Sequence, residues 1–418
     1  MDTIFVQIAS YRDPELVPTV LDCINNAKHP KNLKFCIGWQ HAGDEDISAI
    51  SKLKNVKILE VPHTESKGAC WIRHKIQSKY NGEKYTLQLD SHHRFVKNWD
   101  EELIKMFKSL KSAKIPKPLI SSYLPSYQPN NDPAARLNEC WQLNYDRFMP
   151  EGPIFLRPSS LKGWEKMDKC PYSRGLSAHF IFTLGKWCKE VPYDPELYFH
   201  GEEISLAVRS FTHGYDLFHP NKVLVWHHYT REGAKKHWDD SKEWGNLNST
   251  SYKRVKILLG VDGEDPKQID FKQFGLGKKR TLKEFERFAG VDFKNRKFHQ
   301  DVISETLPPV KFNSEEEFQK GLINRFKHCI DVYRGDLPEN DYDFWCVVFK
   351  DKDNKDMYRR DADGNEIKSI VMSNPNDKFV HIWREFDTAE KPHKWTVWPH
   401  SKSKGWDTKV IENVINYA

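Results

Sequence analysis

A carboxylate and an imidazole stand two residues apart at the end of an apolar run. The run 85–89 leads directly into Asp90, Ser91 and His92. Because side chains alternate along an extended strand, Asp90 and His92 point to the same side. Such a pair suits a divalent cation such as Mn²⁺ or Mg²⁺, which can neutralise a diphosphate leaving group. The triplet therefore predicts a metal site, and a polar turn after a buried strand is the alternative.

Other charged side chains could act on the same kind of substrate. Arg73 could make a bidentate contact with a phosphate, or it could be a solvated charge on a helix face. Glu202 and Glu203 follow Gly201 as paired carboxylates. They could hold hydroxyl groups at a reaction centre, or they could mark a helix N-terminus, where acids complement the helix dipole.

The elements that must position these groups alternate between strands and helices. Strands are predicted at 4–9, 33–39, 56–61, 85–89 and 119–123, and helices at 14–27, 68–79 and 99–111. This alternation predicts an α/β fold with a largely parallel sheet covered by helices. In such sheets ligands bind beyond the carboxyl ends of the strands, where the triplet lies. Tyr11 and Arg12 follow the first strand, where a nucleotide base and ribose would lie.

The second half of the chain changes character twice. Residues 124–170 lack clean periodicity and are predicted to form a long excursion over the active-site face. Residues 231–310 are charged and predicted to be helical, and Pro308-Pro309 resembles a linker. We therefore predict a first domain, with its helical extension, over 1–306 and a β-rich accessory domain over 311–418.

The accessory domain is predicted from short apolar and aromatic runs at 343–349, 369–372, 379–383 and 395–398. The segment 361–365 resembles part of a calcium loop, but it lacks the downstream glutamate, and we interpret it as a hairpin turn. Tryptophan is usually well buried, so core positions are predicted for four residues, with acceptor contact as the alternative. These residues are Trp383, Trp395, Trp398 and Trp406.

Composition excludes several classes of protein. The 418 residues carry 65 basic and 59 acidic side chains, a net charge of +6, which indicates a mildly basic surface and no nucleic-acid-binding arm. No transmembrane run or signal peptide is visible, so a cytoplasmic protein without a membrane partner is expected. The eight cysteines are scattered without a C-x-x-C pair, which favours reduced, buried thiols.

Four motifs occur in an informative order. They are Ile8-Ala9-Ser10-Tyr11-Arg12-Asp13-Pro14-Glu15-Leu16, Lys67-Gly68-Ala69-Cys70-Trp71-Ile72-Arg73, Phe199-His200-Gly201-Glu202-Glu203-Ile204-Ser205-Leu206-Ala207-Val208-Arg209 and Trp226-His227-His228-Tyr229-Thr230-Arg231. Together they resemble the cytoplasmic polypeptide N-acetylglucosaminyltransferases that modify hydroxyproline. More remotely they resemble the polypeptide GalNAc-transferases. The resemblance covers about residues 3–260 and does not extend to the last 110 residues.

The resemblance implies a GT-A fold, a UDP-sugar donor, a divalent metal and retention at the anomeric carbon. It implies that Asp90 and His92 are metal ligands and that the third ligand comes from the doubled histidine. His228 matches the family pattern better than His227, which is expected to be structural. An imidazole and carboxylate set suits Mn²⁺ better than Mg²⁺, which prefers oxygen ligands.

The same comparison suggests residues that bind the donor. Gly68 permits close backbone approach to the sugar or phosphate. His179 is either a substrate contact or a buried structural histidine, and Arg12 is either a donor contact or a surface salt bridge. Glu202 is expected nearer the reacting centre than Glu203. The predicted donor-binding set is Ala9, Tyr11, Arg12, Gly68, Arg73, Asp90, Ser91 and His179.

The predicted function is transfer of a sugar, GlcNAc first among the candidates, from UDP to a hydroxyl group of a protein. One alternative is an enzyme that acts on a glycan or small-molecule acceptor. Another is a non-catalytic carbohydrate-binding or interaction protein on the same scaffold. The intact Asp-Ser-His and Gly-Glu-Glu motifs favour an enzyme. Neither the acceptor nor the oligomeric state can be deduced from the sequence.

Overall fold

The computed structural model describes residues 2–231, 233–388 and 390–416. The chain forms two compact units. The first contains the residues up to Arg296 and the segment Asp301–Phe318, and the second contains Lys297–Gln300 and the residues from Gln319 onward. The chain therefore leaves the first unit after Arg296, returns at Asp301 and leaves again after Phe318.

Strands and helices alternate through the first unit. Its strands are β1 (Ile4–Tyr11), β2 (Leu33–His41), β3 (Val56–Pro62), β4 (Tyr85–Asp90), β5 (His93–Phe95), β6 (Pro118–Ser121), β7 (Trp141–Phe148), β8 (Ile154–Ser160), β9 (Phe180–Leu184), β10 (Asp216–Phe218), β11 (Val225–His227) and β12 (Val291–Asp292). Its helices are α1 (Leu16–Asn26), α2 (Ser48–Ser51), α3 (Ala69–Gln77), α4 (Trp99–Ser112), α5 (Trp187–Glu190), α6 (Glu202–Thr212), α7 (His237–Asp240), α8 (Trp244–Leu258) and α9 (Leu282–Ala289). Two further helices, α10 (Gln300–Ile303) and α11 (Glu315–Lys320), contain residues of both units.

A seven-stranded sheet organises the first unit in the order β10-β6-β9-β4-β1-β2-β3. All its neighbouring pairs are parallel except those of β9, which runs antiparallel to β4 and β6. The chain builds β1 to β3 in one direction and then places β4 on the other side of β1. This reversal makes a crevice beyond the carboxyl ends of β1 and β4, the usual place for a ligand in an open α/β sheet.

Apolar residues at helical spacing hold the helices against this sheet. Helix α1 buries Leu16, Val20 and Cys23 on one face, and α4 buries a longer stripe that includes Leu103 and Phe107. These residues join strand residues in one hydrophobic core. The predicted largely parallel α/β architecture is confirmed, because periodicity alone specifies which faces must be buried.

The segment predicted as an irregular excursion contains a hairpin. Strands β7 and β8 pair antiparallel. The polar residues Gln142, Asn144 and Asp146 of β7 are as buried as the Leu143 and Tyr145 that alternate with them. The expectation of an irregular path at 124–170 was therefore wrong for these strands, because polar residues at buried positions hide the alternation that identifies a strand.

The second unit is β-rich. Its strands are β13 (Lys297–His299), β14 (Leu322–Tyr333), β15 (Tyr342–Lys350), β16 (Asp356–Arg359), β17 (Ala362–Asp363), β18 (Phe379–Thr388), β19 (Lys394–Ser401), β20 (Gly405–Trp406) and β21 (Ile411–Val414), and its helix is α12 (Gly364–Ser373). Strand β14 pairs antiparallel with β13 and β18. Strands β16, β15, β19 and β20 lie in that order in a second sheet, with β17 on β15 and β21 on β19. Their inward residues form a separate core.

Helix α12 replaces two predicted features of this unit. The hairpin turn predicted at 361–365 and the strand predicted at 369–372 were wrong. The Asp363 carboxylate accepts hydrogen bonds from the N–H groups of Asn365 and Glu366, so it caps the helix N-terminus. Ile367, Ile370 and Val371 follow at helical spacing and pack on the core. A capping aspartate followed by this spacing is the helix signal that the turn interpretation overlooked.

The tryptophans of this unit divide between core and surface. Trp395 is buried, as predicted, but Trp383, Trp398 and Trp406 are 52%, 37% and 43% exposed, so the core prediction was wrong for these three. Strand alternation explains the difference for Trp383 and Trp398. Their neighbours Ile382 and Val397 point inward and are fully buried.

No described helix is both long and apolar enough to cross a membrane. All eight cysteines lie within the described part of the chain and are free, and seven of them are buried. Reduced and mostly buried thiols match the cysteine pattern of the sequence.

Candidate functional site

A cavity of about 480 Å³ lies in the first unit at the crevice beyond β1 and β4. Ala9 near the end of β1 and Asp90 at the end of β4 are side-by-side partners in the parallel sheet. Both line the cavity, together with Ser91 and His92. The strand order therefore brings the Asp-Ser-His triplet to the position that its sequence predicted.

Three of the cavity's side chains form a cluster that can hold a metal ion. One ligand atom each from Asp90, His92 and His227 lies within 4.8 Å of the other two. Nε2 of His92 is 3.8 Å and Nε2 of His227 is 3.6 Å from Oδ2 of Asp90. Ligands about 2.1 Å from an octahedral Mg²⁺ stand about 3–4.2 Å apart, so these two separations suit an ion of that size.

The His227 ring supports this assignment. Both of its nitrogens are buried and have no hydrogen-bond partner within the described part of the chain. A buried polar atom normally has a partner, so an orphaned imidazole needs an explanation. The ring stacks on His179 with centroids 4.2 Å apart, which fixes its plane. A cation bound between Asp90, His92 and His227 would give its Nε2 a partner.

Strand pairing explains how a residue 137 positions after Asp90 reaches it. Strand β11 pairs antiparallel with β5, and His227 stands opposite His93. Strand β5 begins only three residues after Asp90. The short β5–β11 ladder therefore carries His227 back to the end of β4.

Asp13 orients the His92 imidazole. Nδ1 of His92 is 2.7 Å from Oδ2 of Asp13, which also accepts a 2.7 Å hydrogen bond from Oγ of Ser91. Burial alone would raise the pKa of Asp13, but His92 and Arg231 outweigh it and hold this pKa at about 2. The anionic carboxylate accepts a hydrogen bond from Nδ1–H of His92. Nε2 then carries no proton and is free to bind a metal, as in many metal sites.

His228, predicted as the third ligand, is not part of the cluster. Its main-chain N–H donates to the carbonyl oxygen of His92 at 3.1 Å. Its Nε2 instead lies 3.2 Å from Oγ1 of Thr230 and accepts from the N–H of Arg231 at 3.3 Å. The side chain lines a neighbouring cavity of about 430 Å³. The residue that faces Asp90 and His92 is therefore His227, one position before the predicted His228, because β11 ends with the His227 side chain on the cluster side.

Arg73, predicted as a phosphate contact, forms an ion pair with Asp90. It extends from α3, its guanidinium contacts Oδ1 of Asp90, and it also donates to the carbonyl oxygen of Leu89 at 3.4 Å. Burial would raise the pKa of Asp90, but Arg73 and the neighbouring histidines hold it well below its usual range. Asp90 thus stays anionic, while Arg73 also lines the cavity.

Tyr11 and Arg12, at the end of β1, line different cavities. Both contact Asp240 of α7, through the Tyr11 hydroxyl and through Nη1 of Arg12, each at 2.8 Å. Tyr11 lines the main cavity, whereas Arg12 lines the neighbouring one. The structure therefore places Tyr11 at the predicted site and gives Arg12 the salt bridge that was its alternative interpretation.

Gly68 lies where a side chain cannot. It precedes α3 with φ +97°, and an added Cβ would stand 2.7 Å from a ring carbon of Tyr198. Gly68 lines the cavity. Its close neighbour in the structure is the Tyr198 ring, and approach to a sugar or phosphate stays a prediction.

Glu202 and Glu203 open helix α6 and face the cavity. Glu203 accepts hydrogen bonds from the Tyr123 hydroxyl at 2.8 Å and the Ala178 N–H at 2.9 Å. Glu202 accepts from the Cys70 thiol at 3.1 Å. Burial raises the pKa of each glutamate to about 7. Two carboxyl groups that titrate near neutrality can exchange protons or bind hydroxyl groups.

His179 already has partners for both ring nitrogens. Its Nε2 accepts from the N–H of Leu124 at 3.2 Å, and its Nδ1 is 2.9 Å from Oγ of Ser177. The ring lines the cavity and stacks on His227. His179 thus fits the buried structural alternative, with its face supporting His227.

Several cavity residues were not singled out from the sequence. Asp13 lay within a quoted motif, and its distance from the triplet hid its role. The segment 233–238 gave no motif, yet it contributes cationic and aromatic side chains to the cavity, as does Arg231 at the end of the fourth motif. These are Arg231, Lys235, Lys236, His237 and Trp238. A cavity that combines cationic side chains, an aromatic surface and a cluster of metal-ligating residues can bind a phosphorylated, ring-bearing ligand.

Known proteins resemble the chain at two levels. The sequence model of the family described as glycosyltransferase (GlcNAc) matches residues 3–54 and 48–295. No curated protein matches the chain. The crystal structure of GalNAc-T7 with UDP, GalNAc and Mn²⁺ is similar with a TM-score of 0.53 and 13% identity, over 99% of this chain and 72% of that one. TarS residues 1–349 of S. aureus in complex with UDP-GlcNAc gives a TM-score of 0.41 and 11% identity, over 70% of this chain and 72% of that one. The likeness to GalNAc-T7 confirms the predicted GT-A fold.

Proposed function

The chain belongs to the glycosyltransferase (GlcNAc) family, and on that premise we propose that it is a metal-dependent, retaining enzyme. The proposed reaction moves GlcNAc from UDP-GlcNAc to a hydroxyl group of a protein. The observation that carries this proposal is the Asp90, His92 and His227 cluster inside the main cavity. A family match without such a cluster would equally suit a non-catalytic relative.

The cluster would hold a divalent cation, for which Mn²⁺ suits the nitrogen-rich ligand set. When bound, this cation supplies Lewis-acid neutralisation of the charge that develops on the departing UDP. The GalNAc-T7 structure holds Mn²⁺ together with UDP and GalNAc. We propose that this chain likewise binds Mn²⁺ together with a UDP-sugar.

We propose that the remaining cavity residues contact different parts of the donor. Lys235, Lys236 and Arg231 line the cavity, and these cations would contact the diphosphate. Arg73 acts through Asp90, whose charge and orientation it fixes. Tyr11 and Trp238 offer aromatic surface for the nucleoside.

Glu202 and Glu203 would face the transferred sugar. Each would bind a hydroxyl as a carboxylate acceptor, and each is partly protonated near neutral pH because burial raises its pKa to about 7. Glu203 is fixed by Tyr123 and Ala178, so it suits a positioning role. Glu202, held only by the Cys70 thiol in the described structure, is the better candidate for the reacting centre.

The resemblance of the four motifs favours hydroxyproline as the acceptor residue. Acceptor choice is proposed to lie at the side of the cavity lined by Ile154, Phe155 and Leu156 of the β7–β8 hairpin. An enzyme that modifies a glycan would share the donor site and differ only at this side.

A donor screen tests the proposal. The full chain is incubated with UDP-GlcNAc, UDP-GalNAc or UDP-glucose, with and without Mn²⁺, and the released UDP is measured. We expect Mn²⁺-dependent release that is fastest with UDP-GlcNAc and absent in Asp90→Asn. Metal-independent release, or none with any donor, would contradict the proposal, and faster release with another donor would contradict its GlcNAc assignment.

A further inference from the structure

A second cluster of metal-ligating side chains lies on the outer face of the second unit, in the ladder between β14 and β18. We propose that Cys329, Asp331 and His381 form a Zn²⁺ site. This inference concerns only the second unit and does not rest on the proposed function.

Strand geometry brings the three residues together. Cys329 and Asp331 are two residues apart on β14, so their side chains leave the same face of the strand. His381 stands directly opposite Asp331 on β18, and Trp383 stands opposite Cys329. The intervening Ile330 points to the other face and is fully buried. The ladder itself therefore fixes the cluster.

The three ligand atoms lie within about half an ångström of the spacing that a tetrahedral zinc ion requires. Sγ of Cys329 is 3.4 Å from Oδ1 of Asp331 and 3.9 Å from Nδ1 of His381, and Nδ1 is 2.8 Å from Oδ1. Zn–S, Zn–N and Zn–O bonds of about 2.3, 2.05 and 2.0 Å at tetrahedral angles require separations of about 3.3–3.6 Å. The observed separations bracket this range. Side-chain rotations that move the ligand atoms by about half an ångström or less would complete the site.

Asp377 completes the arrangement behind the imidazole. Nε2 of His381 lies 3.1 Å from Oδ2 of Asp377. Nδ1 donates to Asp331 in the same way, so a cation bound at Nδ1 would displace that proton while Asp377 keeps the proton on Nε2. A carboxylate behind a ligating histidine is the usual device for fixing its tautomer and ring orientation. The same arrangement recurs in the first unit, where Asp13 stands behind His92.

The donor set separates this site from the cluster of the first unit. Thiolate with imidazole and carboxylate selects Zn²⁺ over Mn²⁺ and Mg²⁺, which prefer harder ligands. Three protein ligands leave the fourth tetrahedral position open, and the 57% exposure of Asp331 gives solvent access to the cluster. The site would accept water or an external ligand there, beside the exposed ring of Trp383.

Cobalt spectroscopy of the full chain tests the site, because tetrahedral Co²⁺ substitutes for Zn²⁺ and gives a thiolate charge-transfer band in the near ultraviolet. We expect this band on Co²⁺ titration and its loss when one equivalent of Zn²⁺ is added. Cys329→Ser should abolish the band. Cys346→Ser, which alters the other cysteine of the unit's described part, should keep it. The cluster of Asp90, His92 and His227 contains no sulfur and cannot produce the band.

His381→Gln keeps the thiol and serves as a second variant should Cys329→Ser fail to fold. We expect its Co²⁺ affinity to fall at least about tenfold, with unchanged far-ultraviolet circular dichroism. Absence of the band in the wild-type chain at saturating Co²⁺ would overturn the proposal. Persistence of the band in Cys329→Ser, or an unchanged affinity in His381→Gln, would overturn it as well.

Discussion

The two oxygens of Asp90 face different partners. Arg73 contacts Oδ1, whereas Nε2 of His92 and Nε2 of His227 face Oδ2 at 3.8 and 3.6 Å. The arginine therefore keeps the carboxylate ionised and fixes its rotation before any cation arrives. Because the ligands need little rearrangement, binding a metal costs little ordering entropy.

Asp13 should matter to the metal although it does not touch it. Asp13→Asn weakens the hydrogen bond that fixes the His92 tautomer. We expect the Mn²⁺ affinity, measured by calorimetry, to fall about 10- to 100-fold while the fold is retained. Asp46→Asn, at an exposed turn, is the matched control and should bind Mn²⁺ as the wild type does. Equal affinities in the two variants would remove Asp13 from the metal site.

Glu203 should make the stability of the metal-free chain depend on pH. Burial raises its pKa from 4.5 to about 7, so between these values the folded chain binds more protons than the unfolded chain. The free energy of unfolding therefore falls as pH rises through this window. In Glu203→Gln the fall between about pH 5 and pH 8 should be smaller by about 2.5 kcal/mol.

Denaturant unfolding at the two pH values gives this difference. Glu165→Gln, which alters an exposed carboxylate, should keep the wild-type pH dependence. A Glu203→Gln variant with the wild-type dependence would show that Glu203 titrates at its ordinary pKa in the folded chain.

At the residue scale, types and local spacing were predictable from the sequence, and long-range register was not. Asp90 and His92 share a strand end, so two residues of spacing sufficed to pair them. His227 reaches them only through the β5–β11 ladder. A one-residue shift at that ladder exchanges His227 for His228, and no local signal specifies it.

Among the elements, the start of α3 depends on a glycine. Gly68 has φ +97° and ψ −177°, a region that only glycine populates readily. Gly68→Ala should lower the free energy of unfolding by about 1–3 kcal/mol or more, since its Cβ would also contact the Tyr198 ring at 2.7 Å.

Urea unfolding measures this cost against a control. Gly82→Ala also has a positive φ, +94°, but nothing lies within 4 Å of the added Cβ. It should lose less stability than Gly68→Ala. Equal losses in the two variants would mean that Tyr198 yields freely and that backbone strain alone acts.

Elements with clear periodicity could be predicted, and those with buried polar groups could not. β1, α1, β4 and α4 bury one apolar face each or a continuous apolar run, and the sequence predicted them. The β7–β8 hairpin escaped because its polar residues pair with partners inside the fold, as when Asn144 donates to Oγ of Ser159 at 2.7 Å. Such hydrogen bonds depend on tertiary structure.

For the whole molecule, the boundary between the units is open to test. The segment Asp301–Phe318 belongs with the first unit, where the Phe318 ring packs at a tilt against Phe312 and lies under the Arg287 guanidinium. A chain ending at Phe318 should therefore fold and release UDP from the donor. A chain ending at Thr306, near the boundary predicted from the sequence, removes these contacts and should melt at a lower temperature.

Thermal melting and UDP release of the two shortened chains decide this point. Equal melting temperatures would place the boundary near Thr306. Loss of activity in both chains would show that the catalytic unit requires the second unit.

The central claim is that Asp90, His92 and His227 hold the catalytic metal, and Mn²⁺ titration of His227→Ala and His228→Ala tests it most directly. Both variants remove an imidazole from the same segment, so each controls for the other. We predict that His227→Ala loses Mn²⁺ affinity by at least about tenfold, together with Mn²⁺-dependent UDP release, while His228→Ala retains both. The reverse pattern in two folded variants would contradict the account and return the third ligand to His228.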